Sequence, residues 1–170
     1  MNALRRYFRY LRLRMLRDRL PVNRVAAGWA LGMFIGCSIP FGLQLIVSIP
    51  LSFFLKVSKI GATLGTFITN PLSIIVIYPC QTWVGAHLIG SPLGWQEICD
   101  YCRRLSSVSL FSPEGWQTLS EIGTAVLGGF FTGGLLLAII CTPVTYLGVR
   151  RLVSAHRLRL ERRRTAHKTR

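Results

Sequence analysis

Seven uncharged polar side chains fall at helical spacing inside otherwise apolar stretches of this chain. Gln44, Ser48 and Ser52 are four apart, and Thr63, Thr66, Asn70 and Ser73 follow at intervals of three and four. On unbroken helices each set would line one face. Two such stripes between half-helices could form a polar cavity, where helix ends and freed backbone groups hold a head group or an anion. The same residues could equally be glue, because Ser, Thr and Asn hydrogen-bond between helices in a bilayer at about 0.6–2 kcal/mol each. Asn70 is the preferred residue, since an Asn beside Pro71 can satisfy carbonyls that the break exposes. The candidate polar site is therefore Gln44, Thr66, Asn70 and Ser73.

Bond-making chemistry has no comparable support. The chain contains no G-x-S-x-G, no H-E-x-x-H, no phosphate-binding loop and no carboxylate pair near a histidine. No Asp or Glu lies inside an apolar run, so the buried carboxylate relay of a proton-coupled pump is missing. His87 sits near the end of its run, which marks it as interfacial. Cys99 and Cys102 make a single C-x-x-C with no second ligand pair and no βαβ context, which reads as two cysteines on a short amphipathic helix. Cys37, Cys80 and Cys141 read as small apolar side chains. The expectation is a protein that is not an enzyme and holds no metal and no cofactor.

These polar residues must be positioned by what surrounds them, and charge placement defines that surround. The net charge of +15 is carried by the two ends of the 170-residue chain. Residues 1–24 hold eight arginines against Asp18, and residues 150–170 hold nine basic residues against Glu161. Between them, Lys56, Lys59, Arg103 and Arg104 balance Glu97, Asp100, Glu114 and Glu121. A soluble nucleic-acid-binding domain would spread its positive charge over a surface, so nucleic acid is disfavoured as a partner. An apolar middle between basic ends is the layout of a small integral membrane protein. No charged residue occurs between Arg24 and Lys56, between Lys59 and Glu97, or between Glu121 and Arg150. Each run exceeds the roughly 20 residues that cross a bilayer core of about 30 Å.

The runs are punctuated. Gly28, Gly32 and Gly36 share one face and allow close contact with another helix, and Ala125, Gly129 and Gly133 repeat the device in the third run. Pro40 and Gly42 break the first run, Asn70–Pro71 the second, and Lys56–Lys59 form a turn between two short segments, 43–55 and 60–69. Both segments are too short to cross, so they read as a re-entrant hairpin. Pro143 is expected to bend the far end of the third run. Residues 2–20 read as a helix with Leu4, Tyr7, Phe8, Leu11 and Met15 on one stripe. Its Arg5, Arg6, Arg9 and Arg12, with Arg150 and Arg151 near the other end, suit the anionic head groups of a lipid bilayer. Trp95 to Leu105 predicts an amphipathic surface helix, and Ser112–Pro113 a further helix start. The tail from Arg150 is expected to be helical at first and then without fixed structure. Both basic termini belong in the cytoplasm, whereas three plain crossings would separate them; one run must fold back or cross twice.

The expected organisation is a basic amphipathic arm (1–24), a membrane domain (25–149) and a basic cytoplasmic tail (150–170). Within the membrane domain the apolar runs are 25–55, 60–94 and 122–149, with a surface helix over 95–121. The fold class is all-α, an integral membrane helical bundle with Pro-broken, re-entrant helices.

The stretch Ala27-Gly28-Trp29-Ala30-Leu31-Gly32-Met33-Phe34-Ile35-Gly36, with Pro40-Phe41-Gly42-Leu43-Gln44 and Gly65-Thr66-Phe67-Ile68-Thr69-Asn70-Pro71-Leu72, resembles the bacterial membrane-protein family known as domain of unknown function 2062. The resemblance covers roughly residues 15–150, and the Gly-Thr-x-x-x-Asn-Pro segment is its most specific part. It implies a bacterial inner-membrane, multi-pass location and supplies no chemistry. It also implies an asparagine just after the short hairpin helix, where this chain has Ser58. Two functions fit: a homo-oligomeric transporter or lipid-handling protein with a re-entrant polar site, or a non-catalytic scaffold or pore-forming module acting through its Gly-rich faces and basic tails.

Overall fold

A computed structural model describes residues 20–67, 69, 71–90, 94–107 and 124–168, together with Arg6, Leu16 and Asp18. Arg5, Arg9, Arg12, Asn70 and the helix start at Ser112–Pro113 lie outside the described residues. The described elements are helices: α1 Val22–Ser38, α2 Gln44–Phe54, α3 Lys59–Thr66, α4 Pro71–Leu88, α5 Trp95–Ser107 and α6 Thr124–Lys168.

Local chemistry sets the boundaries. The Pro21 carbonyl accepts from the Arg24 and Val25 amides at 2.9 and 3.0 Å and so starts α1. At its far end Ile39 is extended, with φ −115° and ψ 137°, because the ring of Pro40 disfavours helical backbone in the residue before it. Gly42 then adopts φ +99°, which glycine reaches without a Cβ clash. After α2, Lys56 takes φ 53°, and the Val57 amide donates back to the Ser52 carbonyl at 3.1 Å. This is the closure in which a left-handed residue ends a helix, a place where glycine is usual. Ser58 immediately opens α3, its Oγ accepting from the Gly61 amide at 2.9 Å.

The packing follows from small residues. Gly28 of α1 lies against Ser58, Gly32 against Ala62 and Gly65, and Gly36 against Thr66 and Thr69. The two helices therefore run parallel in register, and α2 returns between their opposite ends. A second contact of this kind joins α4 to α6. Gly85 lies against Gly129 and Gly133, Gly129 against Thr82 and Ala86, and Gly133 against the Gln81 carbonyl. α6 also runs antiparallel to α1, with Gly134 against Cys37 at one level and Val149 and Val153 beside Val25, Ala26 and Trp29 at the other.

The tail differs from expectation: the 45-residue α6, with Pro143 inside it, stays helical to Lys168. Beyond Gly148 the sequence has neither glycine nor proline and is rich in Arg, with Leu152, Leu158 and Leu160, residue types that favour helix. The amphipathic helix read over Trp95 to Leu105 is α5, Trp95–Ser107. Its Ile98 is fully buried with Ile74, Tyr78 and Phe130, and the Glu97 carboxylate accepts from the Gly94 amide at 3.1 Å, half of a capping box.

Large apolar side chains lie mostly outside. Ile46, Phe53 and Phe54 of α2 are 57%, 55% and 83% exposed, and Ile75 and Val76 of α4 and Ile139 and Val144 of α6 are exposed as well. Among the described residues one helical stretch, Val126–Arg162 within α6, is long and apolar enough to cross a membrane by length and composition.

Candidate functional site

At the broken end of α1 the Ile39 amide still reaches the Ile35 carbonyl at 2.9 Å, but the Gly36 carbonyl loses its helical donor because Pro40 has no N–H. Two polar side chains gather there. The Gln44 Nε2 donates to the carbonyls of Gly36 (3.1 Å) and Ile39 (2.8 Å) and lies 2.9 Å from Thr69 Oγ1. The Thr69 hydroxyl in turn has acceptors at Gly36 O (3.2 Å), Gln44 Oε1 (3.2 Å) and Thr66 O (3.0 Å). Both side chains are buried. One amide and one hydroxyl thus tie together the C-terminus of α1, the N-terminus of α2 and the segment leaving α3. The Phe41 amide, within the same break, donates to Tyr78 Oη on α4 at 2.7 Å.

Of the four residues singled out from the sequence, Gln44 stands at the centre of this knot. Thr66 is buried, but its hydroxyl bonds back to the Thr63 carbonyl at 2.7 Å, and only its own carbonyl meets Thr69. Ser73 is half-buried on α4. Thr69 was missed. It is adjacent to Asn70 in sequence, and a stripe drawn on an unbroken helix points away from it. The break residues stand where helices end or begin: Pro40 and Gly42 between α1 and α2, and Pro71 as the first residue of α4.

The opposite end of the hairpin is held by Ser58, which is also buried. Its amide donates to the Arg24 carbonyl at 3.0 Å, and its hydroxyl donates to the Asp18 carboxylate. The other Asp18 oxygen accepts from the Leu20 amide at 3.1 Å. Arg157 on distal α6 donates to the carbonyls of Asp18 and Leu20 at 2.9 and 2.6 Å. The segment before α1, the hairpin tip and the distal part of α6 therefore meet at one end of the molecule. Lys56, Lys59, Arg24, Arg150 and Arg151 are all exposed, as is Arg6. The Lys59 ammonium stacks on the Phe53 ring at 3.4 Å from its centroid, a cation–π contact. Sequence reading missed this junction; Asp18, the one acid among the first 24 residues, is the signal that could have pointed to it.

A third set of polar atoms behaves differently. Gln81 on α4 is 4% exposed, and neither its Nε2 nor its Oε1 has a hydrogen-bond partner. The hydroxyls of Ser48 and Thr82, in residues 0% and 1% exposed, are likewise unpartnered. Among the described residues no cluster of three His, Cys, Asp or Glu side chains could hold a metal. On α4, His87 Nδ1 lies 2.9 Å from the Trp83 carbonyl on the exposed surface, with Trp95 edge-on to Trp83.

The family model described as an uncharacterized protein conserved in bacteria (DUF2062) matches residues 5–162. No curated protein and no solved structure matches the chain. The matched segment runs from the arm through every described helix into distal α6, and the chain accordingly belongs to the DUF2062 family.

Proposed function

We propose that this is a small multi-pass protein of the bacterial inner membrane that transports or handles a lipid through a polar re-entrant site. In this reading α2 and α3 form a hairpin that dips in from the cytoplasmic face and returns, and both termini are cytoplasmic. The observation that carries the reading is the inversion of α2. Its buried residues are Gln44, Ser48 and Ser52, while Leu45, Ile46, Val47, Ile49, Phe53 and Phe54 face outward. Burying a Leu, Ile or Phe side chain away from water stabilises by roughly 1.5–3 kcal/mol. A helix in water would turn the other way, whereas in lipid the apolar face belongs outside and the backbone and amides must be satisfied within.

The hairpin tip supports the same orientation. A left-handed lysine is strained where glycine would not be, yet Lys56 keeps a cation at the tip beside Lys59 and Arg24. Lysines deep in the core cost about 2.5–3.5 kcal/mol on insertion scales, so this end belongs at water and anionic head groups. The protein acts as a homo-oligomer, because one copy supplies few helices, and it uses no enzyme chemistry, cofactor, metal or nucleic acid.

A second reading, a non-catalytic scaffold, is favoured by one observation. Gln44 and Thr69 direct their hydrogen bonds to the chain's own carbonyls, as glue would. Native mass spectrometry of the purified protein separates the two. Retention of one defined lipid supports lipid handling; release of an unselective lipid mixture supports the scaffold.

A further inference from the structure

Distal α6 has two unlike sides. Val149 and Val153 are buried against Val25, Ala26 and Trp29. Arg157, on the same side, spends its guanidinium on the carbonyls of Asp18 and Leu20 at 2.9 and 2.6 Å. The other side carries Arg151, Ala155, Leu158, Arg162 and Thr165, alternately four and three apart, and all five are exposed. That spacing keeps them on one face, the narrow seam along which a single partner helix lies. Among the described residues Arg151, Arg159 and Arg162 enter no ion pair and no hydrogen bond. The helix dipole favours cations only in the last turn, which does not reach them.

Position decides what these cations can meet. Under the membrane reading above, on which this inference rests, the charge-free residues 124–149 of α6 are about 39 Å long. That covers the hydrocarbon core and most of its polar borders, so Arg150 and Arg151 stand among head groups. The helix goes on to Lys168, which puts Leu158 and Arg162 about 12 and 18 Å farther out than Arg150. Head-group charge is screened within about 8 Å at physiological ionic strength. The outer part of the seam therefore answers to something in solution.

We propose that this face of distal α6 docks an acidic helix of a cytoplasmic protein. Carboxylates at helical spacing on the partner take Arg151 and Arg162, about 17 Å apart along the helix, in bidentate pairs. An apolar side chain between them covers Ala155 and Leu158, which is 55% exposed. A second copy of this chain would set arginine against arginine along the seam and is repelled. Nucleic acid would engage the arginines but leave Leu158 wet, and residues 150–170 hold no Phe, Tyr or Trp on which a base could stack.

The test uses the full chain in nanodiscs and the fluorescence anisotropy of two labelled probes. One is an acidic helical peptide of about twenty residues with glutamates flanking leucines at helical spacing; the other is an oligouridine of similar charge. In phosphatidylcholine the peptide should bind, with Arg162→Glu raising its Kd about tenfold or more and Leu158→Ser about fivefold. Leu152→Ser, equally exposed but off the seam, should leave the Kd within about twofold. All three side chains are exposed, so the variants should melt as the wild type does. Replacing part of the phosphatidylcholine with phosphatidylglycerol should leave binding unchanged. Loss of binding there would lay the face on head groups and overturn the proposal, as would equal effects of the two leucine variants. Oligouridine that binds as tightly as the peptide, whether or not Leu158 is changed, assigns the face to nucleic acid and overturns it too. Protein that enters nanodiscs yet binds no peptide overturns the docking face alone. Protein that does not enter nanodiscs overturns the membrane reading and, with it, the distance from head groups on which the partner rests.

Discussion

The α1–α3 contact and the α4–α6 contact use one device to opposite ends. In both, glycines four apart bring two helix backbones together: Gly28, Gly32 and Gly36 against α3, and Gly129 and Gly133 against α4. Around the first contact Gln44 and Thr69 donate to freed carbonyls at one end, and Ser58 bonds the Gly61 amide and the Asp18 carboxylate at the other. Around the second, Gln81 and Thr82 stay unpartnered. Close glycine packing is therefore not what decides whether buried polar groups are satisfied. Nor does proximity to a chain break decide it for every group, since the Ser38 hydroxyl at the end of α1 and the Ser48 hydroxyl on α2 are unpartnered too. Where Pro40 interrupts a helix, freed carbonyls attract an amide; α4 and α6 carry their prolines within continuous helices, and the neighbouring amide is left over. The second contact leaves a buried amide, Gln81, without a partner.

The largest expected effect comes from closing the first contact. A Cβ at Gly32 would collide with the Ala62 carbonyl oxygen and lie 2.7 Å from the Gly65 Cα, both of them backbone that cannot swing aside. Gly32→Leu should cost more than about 3 kcal/mol, at or beyond the upper end of overpacking penalties, and abolish a cooperative melt in detergent. Leu31→Ile should cost under about 1.5 kcal/mol, as a volume-conserving swap does. A wild-type melt for Gly32→Leu would remove the packing role of that face.

The contrast between the two amides is sharper still. Gln44→Leu strands the carbonyls of Gly36 and Ile39 and should destabilise by about 1–3 kcal/mol. Gln81→Leu removes an amide that has no partner to strand and should leave stability within about 0.5 kcal/mol or raise it. Equal losses in chemical unfolding of the two variants would erase the distinction.

A smaller effect is expected at the tip. Ser58→Ala deletes the cap of α3 and the hydroxyl on Asp18, for about 1 kcal/mol. The loss should be local, raising amide hydrogen exchange at Gly61 and Leu20 while leaving Gln44 and its partners protected.

Sequence carried the punctuation of the fold better than its contacts. Pro40, Gly42 and the Lys56–Lys59 turn act within a few residues, so α1, α2 and α3 could be separated by reading along the chain. The glycine spacings likewise mark faces, though nothing in them names the partner helix. What lies across from Gly36 depends on the parallel register of α1 and α3, and that register brings Thr69 to Gln44. A stripe through Thr66, Asn70 and Ser73 holds only on an unbroken helix, and α3 stops at Thr66 while Ser73 belongs to α4. Ser58, at first a departure from a family pattern, takes up its junction through Asp18, forty residues away in sequence. Gln81 carried no periodic signal at all. Its significance lies in the absence of partners, which only the packed structure reveals.

The most direct test of the membrane hairpin is residue-specific labelling. Single cysteines replace Phe41, Val57 and Leu72 in a background where the five native cysteines are changed to Ser or Ala, and a membrane-impermeant maleimide is applied to either face of sealed vesicles. With a hairpin that dips in and returns, position 57 labels from the cytoplasmic face alone, while 41 and 72 are protected from both. Rapid labelling of 41 and 72 from the outer face would contradict it, and would make α2 and α3 segments of ordinary crossings joined by exposed loops at Pro40 and Pro71.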